Sequence, residues 1–191
     1  MVLAVSSLIV FRHGKSDWQA GDGDDRSRPL SRRGRRSAAA MGRFLACTGQ
    51  VPELALTSPA LRATETLRLA MEAGGWRGEV RTSEALYGGV GEVLAELRLL
   101  APDVVAAMVV GHEPTSSDLI AVLIGGGRIR LPTGAMARID LGPESWSDLE
   151  PGCGELAWLL SPRLAAEGIF THGSDPSERS GSAKGHWRPP S

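Results

Sequence analysis

The residues best suited to chemistry fall in three stretches: Arg12-His13-Gly14-Lys15, the run Ser58-Pro59-Ala60-Leu61-Arg62-Ala63-Thr64-Glu65-Thr66, and Gly111-His112-Glu113-Pro114. Together they supply two arginines and two histidines. A phosphoryl group spreads negative charge over three oxygens. Arginine binds such oxygens bidentately, stays charged and tolerates a partly buried site. Phosphoryl transfer depends mostly on positioning and electrostatic stabilisation, which guanidinium groups supply. A neutral histidine among them can attack phosphorus in line and hold the group covalently. Neighbouring cations disfavour protonation of that imidazole. Pro59 and Pro114 suit the first turn of a helix, and helix N-termini add N–H donors and a positive dipole end. Gly14 is expected to leave space where the loop passes close to a ligand. Taken singly, the residues have plainer readings: His112 could cap the helix opened by Pro114, and Arg62 could sit on a solvated helix face.

The elements around these stretches place all three at one rim. The apolar run Ser7 to Phe11 reads as a strand buried on both faces, and Glu53 to Thr57 and Ala107 to Val110 read as two more. Each stretch lies just past the carboxyl end of one of these strands, the edge where open parallel sheets bind ligands. A polar loop spans 16–28. A helix follows, with Ser31 as N-cap and Ala38, Met41 and Leu45 as its apolar stripe. Its other face carries Arg32, Arg33, Arg35, Arg36 and Arg43 and reads as a solvated face, with docking of an acidic protein as the alternative. A helix is expected from Ser58-Pro59 to about Glu72, ended by Gly74-Gly75. Val80 to Thr82 reads as a short edge strand, and Glu92 to Leu100 as a leucine-rich helix. A further helix is expected from Pro114 to about Ile124, stopped by Gly125 to Gly127, which lack a P-loop's setting and lysine. Ala135 to Leu141 and Leu156 to Leu160 read as a closing hairpin. This order points to an α/β fold, a three-layer α/β/α sandwich around a largely parallel sheet.

The segments LIVFRHGKSDW, TSPALRATETL and VVGHEP resemble the motifs of the histidine phosphatase, or phosphoglycerate-mutase-like, superfamily. The RHGK form, the short chain and RPLSRRG before the first helix are similar to its bacterial phosphohistidine phosphatase (SixA-like) group. The resemblance runs from about Leu8 to Leu160. It implies a phosphoglycerate-mutase-like fold and metal-independent hydrolysis without a cofactor. It casts His13 as the phospho-accepting nucleophile, Arg12 and Arg62 as clamps on the phosphoryl oxygens, and His112 as a donor to the same oxygens. Gln19 falls where mutase-like relatives often have a phosphate-contacting Asn, and Lys15 would line the mouth of the site. The family's proton donor is matched best by Glu84, with Asp17 and Glu113 as weaker candidates. The implied substrate is protein phosphohistidine. The alternatives are a small phosphate ester or a non-catalytic phosphate- or phosphoprotein-binding module.

At 191 residues the chain suits one domain with a sizeable core. Hydrophobic residues make up 42% and charged residues 23%, which excludes a disordered chain. The formal net charge of -1 gives no reason to expect a nucleic-acid partner. No apolar run is long enough to suggest a membrane span. Cys47 and Cys153 fit neither a disulfide framework nor a metal-site spacing and read as reduced thiols of a cytoplasmic protein. The expected division is a domain over 1–165 and a flexible tail over 166–191. The tail is rich in Ser, Gly, Pro and charge, and its His172 and His186 have no expected role.

Overall fold

The two faces of the first strand decide the layers. In the computed structural model, which describes residues 6–20, 24–142 and 145–168, β1 (Ser7–Arg12) is buried along almost its whole length. Side chains alternate across a strand. Leu8 and Val10 therefore enter one core, and Ile9 and Phe11 enter the other. The first core also takes Leu54 and Leu56 of β2 (Leu54–Thr57) and Ala107 and Val109 of β4 (Ala106–Gly111). It is covered by α3 (Val90–Leu97) and α4 (Thr115–Leu123). The second core is covered by α1 (Arg32–Cys47), α2 (Leu61–Gly74) and α5 (Pro162–Gly168). Helices on both faces of one sheet make the expected three-layer sandwich.

The six strands run in the order β3-β2-β4-β1-β5-β6, with β3 at Glu79–Thr82, β5 at Met136–Leu141 and β6 at Gly154–Leu160. The pairs β3–β2, β2–β4 and β4–β1 are parallel, while β5 joins β1 and β6 in antiparallel fashion. The sheet is thus largely parallel and closed by the expected hairpin, and β3 is the exposed edge strand. No helix among the described residues is long and apolar enough to cross a membrane.

Local chemistry explains the element boundaries. Ser31 caps α1, its Oγ accepting from Gly34 N at 3.2 Å, and Ala38, Met41 and Leu45 are fully buried. Gly75 ends α2 at φ 66°, a left-handed turn that suits glycine. The α1–α2 crossing leaves no room for a side chain at Gly42, since a Cβ there would lie 1.9 Å from the Ala70 carbonyl oxygen.

Two helix expectations need correction. The helix expected from Pro59 begins at Leu61, because Pro59 and Ala60 form the bend into it and Ala60 is its N-cap. The helix expected over Glu92 to Leu100 spans Val90–Leu97, because the Glu92 side chain bonds back to Gly89 N at 2.8 Å and holds the first turn. The last described element is α5 (Pro162–Gly168), where the sequence offered no helix. It is too short to show a sequence period, and Ala165 anchors it in the second core. The rest of the expected tail, 169–191 with His172 and His186, lies outside the described residues.

Candidate active site

Beyond Arg12 the chain enters a loop whose backbone is tied on every side. His13 N donates to the Gly111 carbonyl at 3.1 Å, so β4 continues to guide the chain. Gly134 N donates to the His13 carbonyl at 3.0 Å. The Lys15 carbonyl accepts from Ser31 N at 2.8 Å and from Ser31 Oγ at 2.9 Å. Gly14 N donates to Thr66 Oγ1 at 2.9 Å, and that hydroxyl donates in turn to the Arg62 carbonyl at 2.6 Å. Thr66 therefore couples the His13 loop to the first turn of α2. Thr66→Val removes the acceptor and leaves a buried N–H unpaired, at a cost of about 1–3 kcal/mol. Urea denaturation checks this: the midpoint falls while the slope is unchanged.

Gly14 is close to a different neighbour than expected. A Cβ there would meet the Gly34 carbonyl oxygen at 2.9 Å, and one at Gly34 would meet the Lys15 carbonyl oxygen at 2.2 Å. The glycine pair lets the loop and the start of α1 pack backbone to backbone. That contact by itself requires a glycine at position 14.

The same loop sets the state of His13. Its Nδ1 lies 2.7 Å from the Gly14 carbonyl oxygen. A carbonyl only accepts, so Nδ1 carries the proton and Nε2 keeps its lone pair. Burial pushes the imidazole pKa down to about 3, helped by positive charge at His112, Arg62 and Arg12 and opposed by the Gly14 carbonyl. His13 is therefore neutral at neutral pH, with an unprotonated Nε2 in a cationic surrounding.

Arg62 is buried at the start of α2. Its Nη2 lies 3.3 Å from His112 Nδ1, which must accept because a guanidinium only donates. His112 Nε2 then donates to Ser58 Oγ at 2.8 Å. The rings of His13 and His112 are 5.0 Å apart between centroids. Burial, then the Arg62 charge, lowers His112 to about 4. Arg12 donates from Nη1 to the Leu131 carbonyl at 2.9 Å, and burial lowers its pKa against the nearby Glu113. Arg12, Arg62, His13 and His112 thus converge, as their placement after three strands implied.

Sequence reasoning missed the acidic member of this cluster. Asp25, in the 16–28 loop, lays its carboxylate on the clamp. Its Oδ2 accepts from Arg62 Nη2 at 2.8 Å and from the Tyr87 hydroxyl at 2.6 Å, and its Oδ1 pairs with Arg28 at 2.9 Å. The Tyr87 hydroxyl first, and Arg62 with Arg28 after it, hold this carboxyl below its usual range. A planar anion thus occupies guanidinium donors suited to phosphoryl oxygens. Only one of several acids in a polar loop does this, and no local pattern marks it. Ser58 and Thr66, by contrast, lie within the second stretch, and only their partners were illegible.

The remaining candidates are more peripheral. Glu84 is exposed, and Arg26 forks its carboxylate at 3.0 and 2.9 Å. Arg26 also lies over the Tyr87 ring, 4.8 Å from its centroid. Gln19 and Lys15 are exposed, and Asp17 accepts from Gln19 N at 3.0 Å. Glu113 is half-buried, with Oε1 unpartnered, and burial raises its pKa.

An α/β sandwich with two neutral histidines and two arginines at its carboxyl rim is a phosphoryl-handling architecture. Comparison with known proteins places it. A model of the histidine phosphatase superfamily (branch 1) matches residues 8–88. The chain is 36% identical over 164 residues to the uncharacterised protein Rv1276c of Mycobacterium tuberculosis, covering 80% of this chain and 100% of that one. It is 33% identical over 166 residues to the uncharacterised protein ML1117 of Mycobacterium leprae, covering 80% and 100%. The structure of the protein histidine phosphatase SixA complexed with tungstate superposes with a TM-score of 0.72 at 28% identity, covering 82% of this chain and 97% of that one. The chain belongs to the histidine phosphatase superfamily, and its fold is phosphoglycerate-mutase-like.

Proposed function

We propose that this protein is a cytoplasmic phosphohistidine phosphatase that works through a phosphorylated His13. The observation that carries the reading is the Nδ1–Gly14 bond, which leaves Nε2 unprotonated inside a cationic cup. The Nε2 lone pair attacks phosphorus as the bond to the substrate nitrogen breaks. The substrate imidazole, protonated by solvent on its other ring nitrogen, keeps that electron pair and departs neutral. Water then attacks phosphorus, the Nε2–P bond breaks, and orthophosphate leaves. Arg12 and Arg62 hold the phosphoryl oxygens, Arg62 on release from Asp25, while His112 braces Arg62 and completes the pocket. Lys15 stands at the mouth.

The state of the nearby acids and the likeness to SixA support the nitrogen-bound substrate. An imidazole that solvent protonates on its free ring nitrogen leaves neutral without an acid from the enzyme, whereas an alkoxide has no such nitrogen and needs one. Glu84, the candidate acid by resemblance, is held as an ion pair by Arg26, and Asp25 is held ionised. SixA, of the same fold, is a protein histidine phosphatase, and it takes tungstate, a tetrahedral oxyanion like phosphate. The free thiols Cys47 and Cys153 agree with a reducing compartment. One observation favours a second reading: Glu113, with its raised pKa beside Arg12, could protonate the leaving oxygen of a small phosphate ester.

The test is a comparison of kcat/KM for a phosphohistidine-bearing protein and for p-nitrophenyl and sugar phosphates. The expected result is that the phosphohistidine protein is the better substrate and is turned over equally by Glu113→Gln. Preference for the esters, with a loss in that variant, would replace this reading with the second.

The lowered His13 pKa has a kinetic consequence. An imidazole titrating near 6.5 is only about 3% neutral at pH 5, a loss of about 30-fold. His13 stays neutral there. Between pH 7 and 5, kcat/KM corrected for substrate ionisation is expected to stay level. A decline centred near pH 6.5 would show that the imidazole titrates normally.

A further inference from the structure

Beside the catalytic pocket a cleft of about 870 Å³ opens between α1, the 130–133 segment and the start of α5. Arg12, Lys15, Arg33, Arg36 and Arg130 line it, and none of its lining residues is an Asp or Glu. The chain as a whole has a formal net charge of -1, so this is a local concentration of positive charge. Helical spacing explains its selectivity. Arg35 points away and pairs with Glu65 at 2.8 Å, whereas Arg33 and Arg36 turn into the cleft. Burial lowers the pKa of Arg12, opposed by Glu113, and the nearby Arg130 charge adds to the lowering. Ser37, Thr133 and Ser161 add hydroxyl groups to the wall.

Like charges gathered in a concave, low-dielectric surface focus their field and favour an anion there. The volume lies within the range of roughly 300–1,000 Å³ that suits small-molecule ligands. Cations from several separate segments converge on one space, an arrangement that chelates a compact polyanion. The flat acidic face of a protein would leave this hollow unfilled.

We propose that the cleft binds a small polyphosphorylated molecule, which engages Lys15, Arg33, Arg36 and Arg130 and reaches the Arg12 guanidinium. Several linked phosphates gain over one because each further contact forms within an already bound ligand. Arg12 lines both spaces, so the bound molecule competes with the phosphoryl group of the substrate for that guanidinium. This inference goes beyond the phosphatase reading, since binding needs no transfer to His13.

The probe is inorganic tripolyphosphate, titrated calorimetrically into the full chain at about 0.15 M salt, where exposed single charges are largely screened. Tripolyphosphate is expected to bind at least about tenfold more tightly than orthophosphate. The double variant Arg33→Glu/Arg36→Glu is expected to lose at least about tenfold in affinity, and Arg33→Gln/Arg36→Gln a smaller share. Both side chains are exposed, and an unchanged circular dichroism spectrum checks that the fold is intact. His13→Ala is expected to bind tripolyphosphate as the unaltered protein does. Equal affinity for tripolyphosphate and orthophosphate would overturn the proposal, as would indifference to both double variants. Loss of binding in His13→Ala would place the ligand in the catalytic pocket instead. Tighter, Arg33- and Arg36-dependent binding of poly-glutamate would assign the cleft to an acidic protein and overturn it too.

Discussion

A His13→Ala variant is expected to carry no covalent phosphoryl label and to lose about 10⁴- to 10⁶-fold in turnover, the scale on which removal of a nucleophile acts. The reason is geometric. His112, the neighbouring imidazole, has Nδ1 against Arg62 and Nε2 against Ser58, so neither nitrogen is free to replace His13 Nε2. The variant keeps Arg12 and Arg62 and should still bind orthophosphate or vanadate, which separates loss of chemistry from loss of fold. The measurement is rapid quench with a ³²P-labelled acyl phosphate or phosphohistidine donor. In the unaltered protein the label should be acid-labile and alkali-stable, as a phosphoimidazole is. Label of the same stability in the variant would remove His13 from the mechanism. Absence of label from the unaltered protein with every donor would favour a phosphate-binding module.

Arg62→Ala is expected to lower kcat/KM by about 10²- to 10³-fold, equivalent to roughly 2.7–4 kcal/mol of transition-state stabilisation. Arg62 is buried, so its charge acts on developing phosphoryl charge with little solvent screening. Its removal also takes away a positive neighbour that lowers the pKa of both histidines, so each should titrate nearer to its ordinary range. Two-dimensional NMR of the imidazole groups reads that shift independently of activity. Arg62→Lys should recover little, because an ammonium lacks the planar fork that meets two oxygens at once. The fold should persist, since Asp25 keeps Tyr87 and Arg28 as partners. Turnover within about fivefold of the unaltered protein would exclude Arg62 as the clamp.

Much of this site was legible because it is written locally. Apolar β-branched runs followed at once by Arg12-His13 or Gly111-His112 place those side chains at strand ends, and a strand end is defined by its own few residues. Ser31 as a cap and Gly75 as a left-handed stop were readable for the same reason, since each satisfies backbone groups one turn away. Asp25 was not legible. Its place on Arg62 depends on a 37-residue separation closed by the fold, and nothing in an Asp/Gly-rich loop distinguishes it from Asp24. Thr66 was visible only as part of a motif. Its partner Gly14 lies 52 residues away. Glu84 was carried by resemblance alone, and the structure shows it engaged by Arg26.

By itself, then, the sequence determined a largely parallel α/β sheet and which residues follow its strands, because hydrophobic period and strand-end position are properties of short segments. The order β3-β2-β4-β1-β5-β6, the division of Leu8 and Ile9 between two cores, the Arg62–Asp25 pair and the cationic cleft were decided only by tertiary structure. Each of these depends on which distant segments the helices bring together when both faces of the sheet are covered, and that packing is settled by the whole chain at once.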